Sequence, residues 1–294
     1  MKLAAVLLIT TAGSHQAAEA HSADSSKFTH HVRVNVRPSY LLPTHRFFRG
    51  ENELGKRLDK SGSAHLQYSF SFPSSSRFGK LYPTAYQGVG LAFNTFFDHK
   101  EIGDPAAVYV FQGARLAQIS QKLSLDYEWN FGVSFGWHPY DPYADLHSYV
   151  NEYNMVVGSR VNAYINFGLL LSWRPFDNWT LSAGVDFTHF SNGNTYYPNA
   201  GVNTVGGRIG ASRSFGPTNT NSRTNAQIVN EYSSLKNLRF AERMSYDILI
   251  YGAGRAKGLI WNDTPYIAEG KFGILGLNIS PLYRVNKFFR TGAS

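Results

Sequence analysis

Between Leu123 and Trp137 the odd positions are all large and apolar (Leu123, Leu125, Tyr127, Trp129, Phe131, Val133, Phe135, Trp137). Every even position is Ser, Asp, Glu, Asn or Gly. A period of two is that of a β-strand with one greasy and one polar face. The run is longer than the usual globular strand, and about 9–11 tilted residues already cross a bilayer. Its parity turns Asp126 and Glu128 away from the aromatic row, toward a polar lumen.

The same alternation recurs along the chain. Val32, Val34 and Val36 mark a short first strand that ends at Pro38. Leu66 to Phe72 reads as a second, and Gln87 to Phe97 as a third with Gly88, Gly90 and Ala92 on its small-residue face. Ala106 to Phe111 and Arg115 to Ile119 are too short and mixed to assign. Between strands, 40–63 reads as a loop or partly helical connection, and His138 to Met155, rich in Pro, Tyr and Asp, as a long loop. A strand from Val157 to Trp173 then returns, a short turn spans Arg174 to Asn178, and further strands follow from Trp179 and Asn203. Long loops alternating with short turns are the rhythm of outer-membrane barrels, whose long loops face outward. The polar tract 216–238 breaks that rhythm and reads as an insertion. Strands around 240–252 and 270–282 come after it.

Composition narrows the compartment. Lys2, the apolar run Leu3 to Ala12 and the small-x-small Ala18-Glu19-Ala20 predict a cleaved secretory signal over residues 1–20. No later run approaches the 18 apolar residues of a membrane-spanning helix. Yet aromatics are 15% of the chain and charges only 16%, a balance that suits lipid-facing strands better than a soluble surface. The expected fold is therefore all-β: an antiparallel transmembrane β-barrel over residues 21–294, with eight to twelve strands and a polar insertion at 216–238. The sequence ends without the aromatic residue common at the end of such barrels, so the strand count is held as a range. With no cysteine there is no disulfide and no thiol nucleophile. The net charge of +8 suits a partner with phosphates at the membrane surface rather than nucleic acid in that compartment. The histidines show no metal-ligand spacing, and no Gly-rich stretch opens a helix as a phosphate loop does, so neither metal nor cofactor is expected.

The strand from Trp179 carries the candidate chemistry. Its odd row, Trp179, Leu181, Ala183, Val185 and Phe187, continues into His189 and Ser191. A base and a hydroxyl thus end a lipid-facing stripe, where same-face neighbours lie about 7 Å apart. Serine needs a base to become a nucleophile and a third group to orient that base. Asn192 and Gly193 follow at once, offering an amide and an unhindered backbone N–H to an oxyanion. Asn203 shares the parity of Val205 and Ile209, so its amide can orient the imidazole from the next strand. Tyr196, Tyr197, Phe190 and Trp179 are expected near the membrane interface as an aromatic belt.

His189-Phe190-Ser191-Asn192, followed by Pro198-Asn199-Ala200-Gly201-Val202-Asn203, resembles the motif of the PagL-type lipid A deacylases, also labelled acyloxyacyl hydrolases. The resemblance implies a small outer-membrane barrel whose site lies on its outer wall and removes the 3-position acyl chain of lipid A. It implies Ser191 as nucleophile, His189 as general base and Asn192 as part of the oxyanion hole, with lipopolysaccharide as partner. The family's acidic residue falls on Asn203, which implies a slower reaction or a substitute carboxylate. Asp186 is a poor substitute because its parity points it to the other face. The competing reading is a barrel without catalysis, structural, adhesive or a narrow pore, in which His-Phe-Ser-Asn-Gly is an ordinary Asn-Gly turn. A soluble β-sandwich would share the alternation but not the long aromatic stripe.

Overall fold

The computed structural model describes residues 28–73, 75–143, 150–216, 244–261, 264–267, 270–284 and 290–292. The expected signal at 1–20 and nearly all of the tract 216–238 lie outside these residues. Eight antiparallel strands close into a barrel: β1 (Thr29–Leu41), β2 (Lys60–Ser71), β3 (Tyr86–Thr95), β4 (Gly103–Gln118), β5 (Leu123–Trp137), β6 (Val161–Phe176), β7 (Trp179–Ser191) and β8 (Val202–Phe215). Each pairs with the next, and β8 pairs back to β1, from His30↔Phe215 to Leu41↔Thr204. Closure removes every sheet edge, which a bilayer requires of a spanning sheet.

The alternation seen in the sequence maps onto the wall. Val34, Leu66, Leu91, Val110, Phe131, Phe167, Val185 and Ile209 are exposed outward. The opposite rows fill the lumen. There Glu128 is fully buried and accepts from Arg33 Nη1 at 2.6 Å, Arg208 Nη2 at 2.7 Å and Gln67 Nε2 at 2.9 Å. Asp186 sits 3.5 Å from Arg37 and 3.8 Å from Arg208. Toward the long-loop end an aromatic cluster takes over, with Trp137 5.1 Å from Phe190 and Tyr109 5.1 Å from Tyr164 between ring centroids. Gly90 makes room for it: a Cβ there would lie 2.3 Å from the Tyr109 ring.

Three expectations are corrected in detail. The two short segments before and after Ala114 are one 16-residue strand, β4. Register shifts between Gly103 and Ala106 and between Arg115 and Ala117 break its parity, and its Ala and Gly residues dilute the pattern. Trp137, expected on the outer row, is buried inside, because Gly136 takes φ +94° and reverses the alternation. The strands after 238 are not in the barrel. The ring is already complete at β8, so the strand count is eight, and the later residues form a separate unit. That unit has a two-stranded sheet of β10 (Gly258–Trp261) and β11 (Thr264–Ile267). Its three-stranded sheet has β12 (Phe272–Arg284) between β9 (Met244–Arg255) and β13 (Arg290–Gly292).

At the end reached by the last residues of β1, β3, β5 and β7, the long connections lock together. A 3₁₀ turn, Arg46–Arg49, buries Phe47 and Phe48. Glu101 accepts from the Glu53 N–H at 3.1 Å, and its carbonyl accepts from Asn151 and Asn154, each at 2.8 Å. One residue thus ties three loops. At the other end, short turns and helix α1 (Arg77–Leu81) join the strands.

Candidate active site

β7 positions the candidate residues by parity alone. Trp179, Leu181, Val185 and Phe187 are exposed on the outer wall, whereas Ser182, Asp186, Thr188 and Phe190 are buried. His189 and Ser191 continue the outward row and are half-buried. Their cross-strand partners are Ile165 and Ala163 on β6, and His189 faces Asn203 on β8. Both groups therefore project from the wall at the long-loop end of the strand.

His189 Nδ1 lies 2.7 Å from Asn203 Oδ1. A carbonyl oxygen can only accept, so Nδ1 carries the proton and Nε2 is left with its lone pair. That is the tautomer a general base needs. Among the described residues no carboxylate contacts His189. Asp186 faces the lumen and is paired with Arg37 and Arg208, so it cannot take the acidic position. The Ser191 hydroxyl makes no hydrogen bond among the described residues, so the structure brings His189 and Asn203 into contact but leaves Ser191 as a same-face neighbour.

The turn after Ser191 presents a donor with nothing to bond. Asn192 is buried, and its Nδ2 has no partner among the described residues. Its backbone N–H is held by Asn199 Oδ1 at 3.0 Å, and its Oδ1 receives the Tyr196 N–H at 3.5 Å. Leaving a buried amide donor unpaired costs about 1–3 kcal/mol. Gly193 and Asn194 take positive φ of 62° and 60°, and Gly193 is exposed. This folds the loop back so that Asn199 reaches Asn192.

Three supporting residues were not assigned these roles from sequence. Asn199 anchors the Asn192 backbone. Gly201, at φ +77°, approaches His189 so closely that a Cβ would lie 3.1 Å from Cε1. Phe190, expected in an interfacial belt, instead points into the lumen and packs against Phe96, Trp137 and Tyr164. Even parity on β7 could have shown this, since Asp186 and Phe190 share a face. Of the other belt residues, Tyr196 and Trp179 are exposed, at opposite ends of β7. Among the described residues no group of three or more His, Cys, Asp or Glu is placed to hold a metal ion.

A family model described as lipid A 3-O-deacylase (PagL) matches residues 63–212, just over half of the chain. The chain belongs to the PagL family. The match runs from β2 to β8 and includes every candidate site residue. Solved structures similar in fold include the outer-membrane enzyme PagL, at 15% identity and a TM-score of 0.38, covering 60% of this chain and 97% of that one. Neisserial surface protein A is also similar, at 11% identity and TM-score 0.39, covering 64% of this chain and 96% of that one. A third is Ail, the attachment invasion locus protein of Yersinia pestis, at 10% identity and TM-score 0.34, covering 64% and 99%. No curated protein matches the chain. This PagL-family chain thus carries a closed eight-stranded outer-membrane barrel from β1 to β8.

Proposed function

We propose that this PagL-family barrel is an outer-membrane serine esterase that hydrolyses an ester-linked acyl chain of lipid A. The observation that carries the reading is the 2.7 Å bond from His189 Nδ1 to Asn203 Oδ1 on the lipid-facing side of the wall. That bond leaves the Nε2 lone pair free, and Ser191 is the next residue on the same outward row. A rotamer change brings the Ser191 hydroxyl onto Nε2 once an acyl chain lies along the outer wall. Nε2 takes the hydroxyl proton as Oγ attacks the ester carbonyl. The oxyanion is received by Asn192 Nδ2 and the Gly193 N–H. The imidazolium then returns its proton to the departing alcohol, leaving an acyl-serine. Water, deprotonated by the same nitrogen, releases the fatty acid and restores Ser191.

Asn203 orients the imidazole but carries no charge to stabilise the imidazolium, so turnover is slower than with a carboxylate. A second reading, a barrel without catalysis, draws on that substitution and on the unbonded Ser191 hydroxyl. Release of fatty acid from purified lipopolysaccharide by wild type and by Ser191→Ala separates the two. Loss of release with folding intact supports the esterase; equal release by both proteins supports the second reading.

A further inference from the structure

The outer wall carries a second polar feature close to the candidate site. The strand pairing sets His189 on β7 beside Asn203 on β8, and the Leu42 N–H at the end of β1 reaches the Asn203 carbonyl at 2.9 Å. Tyr40, two residues back along β1, is exposed on the same outer face, paired with Val205 on one side and Lys60 of β2 on the other. Strands are about 4.8 Å apart, so Tyr40 lies on the order of 10 Å across the wall from the β7 row.

Tyr40 fixes a cation. Arg57, returning from the β1–β2 loop, places its guanidinium 5.8 Å from the centre of the Tyr40 ring and donates from Nη2 to the Tyr40 hydroxyl. Arg57 also pairs with Asp59, whose Oδ2 lies 3.7 Å from Nε, with both side chains exposed to solvent. Lys60, cross-strand from Tyr40, is exposed and has no ion-pair or hydrogen-bond partner among the described residues. Two other cations of these loops are paired, Arg46 with Glu51 at 3.5 Å and Lys100 with Glu53. A guanidinium oriented on a lipid-facing tyrosine, beside an unpaired ammonium, suits a phosphate at headgroup depth.

We propose that Arg57, held on the Tyr40 ring and hydroxyl, and Lys60, cross-strand from Tyr40, form a subsite for the phosphate of an anionic lipid headgroup. In the esterase reading, on which this part rests, the subsite holds the headgroup while its acyl ester lies at Ser191. Tyr40 is level with Val205 on β8 and Phe187 on β7, so Ser191, four residues further along β7, lies roughly 16 Å from it by strand geometry. Arg57 supplies planar donors and Lys60 a point charge. Recognition is therefore of the phosphate rather than of the acyl chain.

The test is a binding titration without turnover, in the Ser191→Ala protein purified in detergent. Lipid A before and after phosphatase treatment is the probe. The added pair Arg57→Gln and Lys60→Gln is expected to weaken binding of the phosphorylated lipid about tenfold and to leave the dephosphorylated lipid unchanged. The same charge change at the opposite end of the barrel, Lys122→Gln with Arg174→Gln, is expected to leave both unchanged. Inorganic phosphate alone, at millimolar concentration, is expected not to bind. Equal affinity for the two lipids, an unaffected Arg57/Lys60 variant, an equal loss in the control variant, or tight binding of inorganic phosphate overturns the subsite. Because no ester cleavage is read, a wild type that releases no fatty acid removes the esterase reading and leaves this result standing by itself.

Discussion

Asn203 shows how much of this site turns on single atoms. Its Oδ1 fixes the His189 tautomer as a carboxylate would, but in the proposed reaction an amide would leave the imidazolium uncompensated. Asn203→Glu is therefore expected to raise kcat by about tenfold or more with little change in KM, measured on lipid A in detergent. An unchanged or lower kcat would show that the amide is not the deficit. Asn192 makes the complementary case. With its Nδ2 unbonded in the resting protein, Asn192→Ala is expected to lower kcat by about 10²-fold, the usual cost of an oxyanion donor. If instead KM alone rises, the amide binds substrate and does not serve the transition state. The placement of His189, Ser191 and Asn203 on the outward face was legible because strand parity is strict, so a polar group that interrupts an apolar row is visible. Asn199 and Gly201 were not given roles, because what they do depends on how the loop folds back through Gly193 and Asn194, and no periodicity encodes that.

Elements were legible where their outward face is uninterrupted. β5 and β7 read directly, since lipid contact demands a large apolar residue at every second position. β4 did not, because two bulges and a run of Ala and Gly erase the alternation. The inward turn of Trp137 depends on one left-handed glycine, Gly136. Among the loops, Glu101 joins three segments at the site end. Burial pushes its carboxyl up to about 7, against the Glu53 N–H bond that favours the anion, with the Asp98 and Glu53 charges adding to the rise. A raised acid pKa means the folded loops hold a proton that the opened loops release. The stability this proton gives the folded loops is fully present below the ordinary value of 4.5, falls as pH rises toward 7, and is gone above it. Hydrogen exchange over 96–102 is expected to be slower at pH 5 than at pH 8 after correction for the intrinsic rate. Glu101→Gln, which keeps an acceptor for Glu53, is expected to abolish that difference; a difference that persists would place the titration elsewhere.

At the scale of the whole molecule the ring depends on a lumen filled by charge. Glu128 sits between Arg33 and Arg208, all three largely withdrawn from water. Removing one member leaves buried cations without a counter-charge, so Glu128→Ala is expected to destabilise the barrel by about 3–5 kcal/mol. The check is a lower unfolding midpoint in detergent; an unchanged midpoint would mean that water fills the gap. Class and wall orientation were legible from alternation, and Glu128 was expected in the lumen. The closure of β8 on β1 was not, since it joins residues nearly the whole barrel apart in sequence and leaves no local trace. Nothing in the alternation distinguishes the later strands from wall strands, which is why they were read into the barrel. The central claim is that an outward serine and imidazole on this wall cut an acyl ester. Its most direct test is mass spectrometry of lipid A from cells producing wild type or Ser191→Ala at equal membrane levels. The account predicts a species lighter by one ester-linked acyl chain with wild type only. The same lipid A mass from both would contradict it.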